Sequence, residues 1–158
     1  MSFYTRVFSM VEDYPSRFAI CEELLEAEFE FSTFPGKLDE DFDEKDWKYL
    51  MLQYDENHEP IRLERNIKGI DSIFEEEQQE FLEVLKELPY SKEQKNATEI
   101  IKGMVQIYAM DVDDDITEGG WDFLNCLMDF LCDATDGYVQ IDDEGIYDKE
   151  GKLLVEME

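Results

Sequence analysis

The run Met104-Val105-Gln106-Ile107-Tyr108-Ala109-Met110 constrains the fold more than any other part of the chain. A strand with one wet face alternates apolar and polar residues, whereas a near-continuous apolar run describes a strand covered on both faces. This chain therefore needs a sheet on either side of that strand and other elements packed over it.

The flanking sequence supplies candidates for both. Phe3 to Met10 reads as a strand, and Pro15 suits the first turn of a helix in which Phe18, Cys21, Leu24 and Leu25 recur at helical spacing. From Ala27 the period changes to two, with Ala27, Phe29 and Phe31 alternating with Glu28, Glu30 and Ser32, so a strand is expected up to Phe34. No turn residue separates the two patterns, and one of them is overextended. Trp47 to Tyr54 and Ile61 to Asn66 predict a hairpin with the polar tip Asp55 to Pro60.

Two helices follow. Ser72 and Glu75 have the spacing of a capping box, ahead of an apolar stripe at Phe81, Leu82, Leu85 and Leu88 that Pro89 ends. Ser91 and Gln94 start a second helix, which stops at Gly103. After the central run, Trp121, Leu124, Leu127, Met128 and Leu131 describe a helix with a wide buried face, ended by Asp136-Gly137. Residues 138–155 read as a small meander with turns at Asp143-Glu144-Gly145 and Lys149-Glu150-Gly151.

This order predicts a single α+β domain over residues 1–158, with a mixed or mostly antiparallel sheet and helices packed on it. The sequence strand, helix, strand, strand, helix, strand over residues 1–110 would suit a ferredoxin-like core, to which residues 111–158 add a helix and β-meander. The strand at Ala27 to Phe34 is one more than that core requires.

Charge is the unusual quantity. Against 14 Lys and Arg stand 42 Asp and Glu, a net charge of -28. Composition alone approaches that of disordered chains, but 11 Phe, 8 Tyr, 2 Trp and only 4 Pro supply enough material for a core. Acidic clusters at Asp39–Asp46, Glu75–Glu80, Asp111–Glu118 and Asp142–Glu150 spread along the whole chain. Such a surface disfavours direct binding to nucleic acid or to an anionic membrane, both of which need cations against phosphate. A basic protein is the complementary partner, although a surface that only keeps a small domain soluble fits equally well.

No secretory leader is visible in the chain as given, and no stretch approaches the roughly 20 apolar residues of a membrane span. Cys21, Cys126 and Cys132 form neither an even set nor a CxxC pair. Reduced, mostly buried thiols in a cytoplasmic protein are expected, and the sequon Asn96-Ala97-Thr98 then carries no meaning.

One segment invites a metal, Asp111-Val112-Asp113-Asp114-Asp115-Ile116-Thr117-Glu118-Gly119-Gly120-Trp121-Asp122. Asp111, Asp113, Asp115 and Asp122 match the acidic positions of a calcium loop, but Ile116 replaces the obligatory Gly and a strand precedes where a helix should. A strand-terminal D-x-D at Asp111 and Asp113 could hold magnesium. Haloacid-dehalogenase-type phosphatases open in a similar way, yet Asp115 replaces their Thr or Val, and the 45 residues after Asp113 are few for the rest of such a site. Gly119-Gly120 resembles a phosphate cradle, but the neighbouring carboxylates would repel phosphate. The plain reading is a helix start capped by Asp115 or Thr117. His58, the only histidine, sits in the polar hairpin tip without a second ligand for zinc.

The sequence thus predicts a non-enzymatic acidic protein that binds or inhibits a basic protein, for example a nucleic-acid-acting one. Two alternatives stand beside it. One is a divalent-metal-dependent protein or small hydrolase with weak Mg or Ca at Asp111 and Asp113; the other is a structural module, for example a homodimer, with no site.

Overall fold

The computed structural model describes residues 1–157. Eight strands form one sheet: β1 (Ser2–Ser9), β2 (Ser32–Phe34), β3 (Tyr49–Gln53), β4 (Ile61–Ile67), β5 (Gln106–Asp113), β6 (Tyr138–Ile141), β7 (Gly145–Tyr147) and β8 (Leu153–Glu156). Their order across the sheet is β2-β3-β4-β5-β1-β6-β7-β8, and each neighbouring pair is antiparallel. With four α-helices, α1 (Arg17–Glu26), α2 (Ser72–Glu87), α3 (Lys92–Gly103) and α4 (Glu118–Thr135), the fold is α+β, as the element pattern requires.

The apolar run from Met104 becomes β5, between β4 and β1. Its side chains alternate between two cores. Tyr108, Met110 and Val112 join Val7, Leu50, Leu52 and Leu63 under α1 and α4, where Phe123, Leu124, Leu127 and Leu131 are buried. Ile107 joins Phe8 on the other face, under Phe74 and Leu85 of α2 and Ala97 and Ile101 of α3. Burial on both faces is why this strand needs no polar alternation.

A ferredoxin-like core contains a split β-α-β unit with parallel strands. Here β1 lies antiparallel to both β5 and β6, so that topology is corrected to an antiparallel sheet. The doubly apolar β5 takes the place between β4 and β1 that the predicted core would have given to a direct contact. Because β6 pairs with β1, residues after 110 extend the same sheet, and β5 itself runs on to Asp113.

Three local expectations also change. Pro15 precedes the first turn of α1, which Ser16 caps by accepting from the Ala19 N–H at 3.0 Å. The alternation from Ala27 is not a strand, since β2 begins at Ser32 and Glu28 has φ 68°. Phe29 and Phe31 instead place their rings edge-on to Phe123, at 5.3 and 5.5 Å between centroids, so core packing produced the period. The capping box at Ser72 does not form. Asp71 occupies the cap position, its carboxylate held by the Ile67 N–H at 2.9 Å and Lys48 Nζ at 2.5 Å, while Glu75 accepts from Gly69 N. Ser91 and Thr117, in contrast, cap α3 and α4 through the Gln94 and Gly120 N–H groups.

In the meander, Gly145 has φ 145°, and a Cβ there would stand 2.0 Å from the Val155 carbonyl oxygen. Only glycine closes the β7 and β8 pairing in this register.

Candidate functional site

Helices α2 and α3 cover only part of their sheet face. The antiparallel register places Phe34, Met51, Arg62, Asp111 and Tyr4 in one row across β2, β3, β4, β5 and β1. Tyr49, Glu64, Ala109 and Arg6 form the next row. Most of these residues line a groove of about 760 Å3, within the range of pockets that hold a small ligand or a few side chains.

One wall is Phe34-Pro35 and the loop from Asp39 to Glu44, which contains a short 3-10 turn (Glu40–Asp43). Two anchors fix this loop. Phe42 is buried in the core beneath α1, and Arg17, only 5% exposed, donates to the Asp41 carbonyl at 2.7 Å and to the Tyr49 carbonyl at 3.0 and 2.7 Å. Burial holds the Arg17 guanidinium below its usual pKa, against the opposing pull of Glu44 and Asp41. The loop's acidic side chains are thereby presented along the rim.

The opposite boundary is Arg6. Its guanidinium lies over the rings of Tyr4 and Phe81, at 5.0 and 5.2 Å, and pairs with Glu77 of α2 at 2.8 Å and with Asp142 at 2.9 Å. Burial raises the Glu77 pKa, and Arg6 only partly offsets this. Arg6 thus closes the helix-covered part of the face.

Six carboxylates line the groove, Asp39, Glu40, Asp41, Glu44, Glu64 and Asp111, against two guanidiniums. Arg17 is engaged as described, and Arg62 contacts Glu59 at 3.3 Å. Asp111 Oδ1 is shielded from solvent and has no hydrogen-bond partner among the described residues. Burial and the Asp111 carboxylate raise the neighbouring Tyr4 phenol above its usual pKa, with Arg6 opposing. Aromatic surface completes the lining: Phe34 is 70% exposed and Tyr49 54%.

Asp111 therefore lies inside the β4-β5-β1 ladders rather than at a strand end. Asp113, two residues on, shares its sheet face but is the half-buried last residue of β5. Its pKa is lowered, chiefly by the Asp115 N–H, which donates to Oδ1 at 3.3 Å. Among the described residues no three His, Cys, Asp or Glu side chains are grouped as a metal site would require. The groove thus contains one member of the predicted pair, Asp111, as a carboxylate among aromatic rings.

His58 stays at the hairpin tip, its ring stacked on Tyr54 and its Nδ1 3.3 Å from Asp55 Oδ2. All three cysteines are free thiols. Burial pushes Cys21 up to about 11 and Cys132 to about 12, and it raises half-buried Cys126 as well, which leaves all three protonated and poorly nucleophilic at neutral pH.

Glu64, Tyr4, Tyr49 and Phe34 were not legible as site residues in the sequence. Their only signal was the mixture of charge and aromatic residues on the non-core positions of predicted strands. No helix among the described residues is long and apolar enough to cross a membrane. No protein-family model matches the chain, and no curated protein or solved structure is significantly similar to it.

Proposed function

We propose that this is a non-enzymatic binding protein that engages a basic protein partner through the open part of its sheet. An inhibitor or immunity-type partner of a nucleic-acid-acting protein is the kind of role intended. The observation that carries this reading is the groove, where six carboxylates meet two guanidiniums, Arg17 held by the Asp41 and Tyr49 carbonyls and 3.9 Å from Glu44, and Arg62 paired with Glu59. Complementary charge accelerates encounter and penalises wrong partners, while exposed aromatic rings supply the contact area that outlasts the encounter.

The test compares two charge reversals. Glu64→Lys alters the groove floor, and Glu83→Lys alters an exposed position on α2 outside the groove. Basic proteins retained from a lysate by the wild-type chain at about 0.1 M salt should include one that Glu64→Lys releases and Glu83→Lys keeps. Equal retention by both variants, or a retained set no more basic than the lysate, overturns the reading.

A further inference from the structure

The rows of the open face define more than an acidic surface. Ala109 lies in the middle of the floor, opposite Glu64 on β4 and opposite Arg6 on β1, and Asp111 follows two positions along β5 on the same face. Glu64 and Asp111 are thus diagonal neighbours across one ladder, a separation of about 7–8 Å that long side chains can bridge. Ala109 is itself only 4% exposed, so the groove opens beside the two carboxylates and not above the Ala109 methyl group. Beyond Glu64 in its row stands Tyr49, and beyond Asp111 stands Tyr4.

Two carboxylates with an aromatic ring outside each form a site for a cation that is also planar and polarisable. The fold already uses the same chemistry once on this face, since Arg6 lies over Tyr4 and Phe81 while bonding to Glu77 and Asp142. Among the described residues no side-chain cation pairs with Asp111 or Glu64: Arg62, directly opposite Asp111, contacts Glu59. The buried, unpartnered Oδ1 of Asp111 is the acceptor left free.

Resting on the reading of the groove as a partner site, we propose that its occupant is an extended segment of the partner carrying arginine, with one guanidinium seated in the groove against Asp111 and Glu64. Arginine suits the place because its planar fork bonds carboxylates bidentately and its face stacks on aromatic rings, neither of which a lysine ammonium does as well. A segment of polypeptide, rather than a free polyamine, suits the remaining wall, where Phe34, Pro35 and Met51 offer apolar contact to residues flanking the arginine. The acidic rim from Asp39 to Glu44 lies alongside for further basic residues of the segment.

The probe is a fluorescently labelled hexa-arginine peptide, titrated by anisotropy into the intact chain. Asp111→Asn with Glu64→Gln should weaken its binding by about tenfold, the loss expected of two charge-assisted contacts in a partly enclosed site. Neutralising two exposed acids of α2, Glu83→Gln with Glu87→Gln, removes the same charge and should change binding by less than about twofold. Tyr49→Leu, at an exposed position that leaves the core intact, should cost about threefold.

Equal losses from the two acidic pairs would overturn the seat at Asp111 and Glu64 while leaving a general basic partner standing. Spermine that displaces the peptide at equal total charge would overturn the polypeptide segment in favour of a free polycation. Failure of hexa-arginine to bind better than an uncharged hexapeptide at about 0.1 M salt would remove the basic-partner reading together with this one.

Discussion

The two parts of the sheet face that carries α2 and α3 obey opposite rules. Under the helices, Phe8 and Ile107 are fully buried, and the charged groups that border them are paired, Arg6 with Glu77 and Lys48 with Asp71. Further along the same sheet face, Tyr4, Glu64 and Asp111 line an open groove, and among the described residues neither of these two carboxylates has an ion-pair partner. The fold neutralises charge where it excludes water and leaves charge unneutralised where it does not. That pattern is what desolvation demands of the covered part, but nothing in folding demands aromatic rings among the free carboxylates of the open part. Stability accounts for one region, and the proposed partner would account for the other.

The comparison is broken most directly at its phenylalanines. Phe8 is fully buried and meets Phe81 edge-on at 5.3 Å. Phe8→Ala removes a ring from a packed core and should lower the unfolding free energy by about 3–5 kcal/mol. Urea denaturation measures this, and a cost below about 1 kcal/mol would mean that α2 and α3 do not close their part of the face as tightly as its burial implies.

A smaller effect is expected at the boundary. Arg6→Met keeps much of the side chain's length but leaves Glu77, 17% exposed at its side chain, without its cation. The cost should be about 2–3 kcal/mol at neutral pH, near the lower limit for breaking a buried pair. Its pH dependence follows from the raised Glu77 pKa, which burial causes and Arg6 partly offsets. A carboxyl with a raised folded-state pKa contributes stability below its unfolded pKa and loses that contribution as pH rises through the folded one. Without Arg6 the folded pKa rises further and the loss grows. The gap between wild type and Arg6→Met should therefore widen from about pH 4 to pH 7, and a gap that is constant with pH would place the effect in packing against Tyr4 and Phe81 instead.

The sequence reveals these two regions unequally, for a physical reason. Residues whose role is set by burial announce themselves by period: β5 by its unbroken apolar run, α4 by the stripe at Leu124, Leu127 and Leu131, α3 by Ser91 and its cap. Asp111 could be recognised as an acid beside a strand, but its position in a groove depends on β4 and β1 lying on either side of β5, contacts made by residues far apart in the chain. Long-range register of this kind leaves no local trace. The same limit explains Phe29 and Phe31, whose period of two mimics a strand while their rings pack on Phe123. Asp71 displaces Ser72 as the cap of α2 because Lys48 and the Ile67 N–H hold its carboxylate there, again a contact that no window around the helix contains.

The smallest effect on stability should come from the other phenylalanine. Phe34 ends β2, an edge strand of three residues, and is 70% exposed, so the folded state removes little of its surface from water. Phe34→Ala should change the unfolding free energy by no more than about 0.5 kcal/mol, as expected for a substitution that touches no core. The same change removes apolar wall from the groove opposite Met51 and should weaken hexa-arginine binding by about twofold to threefold, the loss of one solvent-exposed cation–π or apolar contact. The two measurements pull the regions apart: Phe8 carries stability, and Phe34 carries binding. If Phe34→Ala instead cost more than about 1.5 kcal/mol with no change in peptide affinity, its ring would be a cover for Met51 and the β3 edge, and the open part of the face would follow the same rule as the closed part.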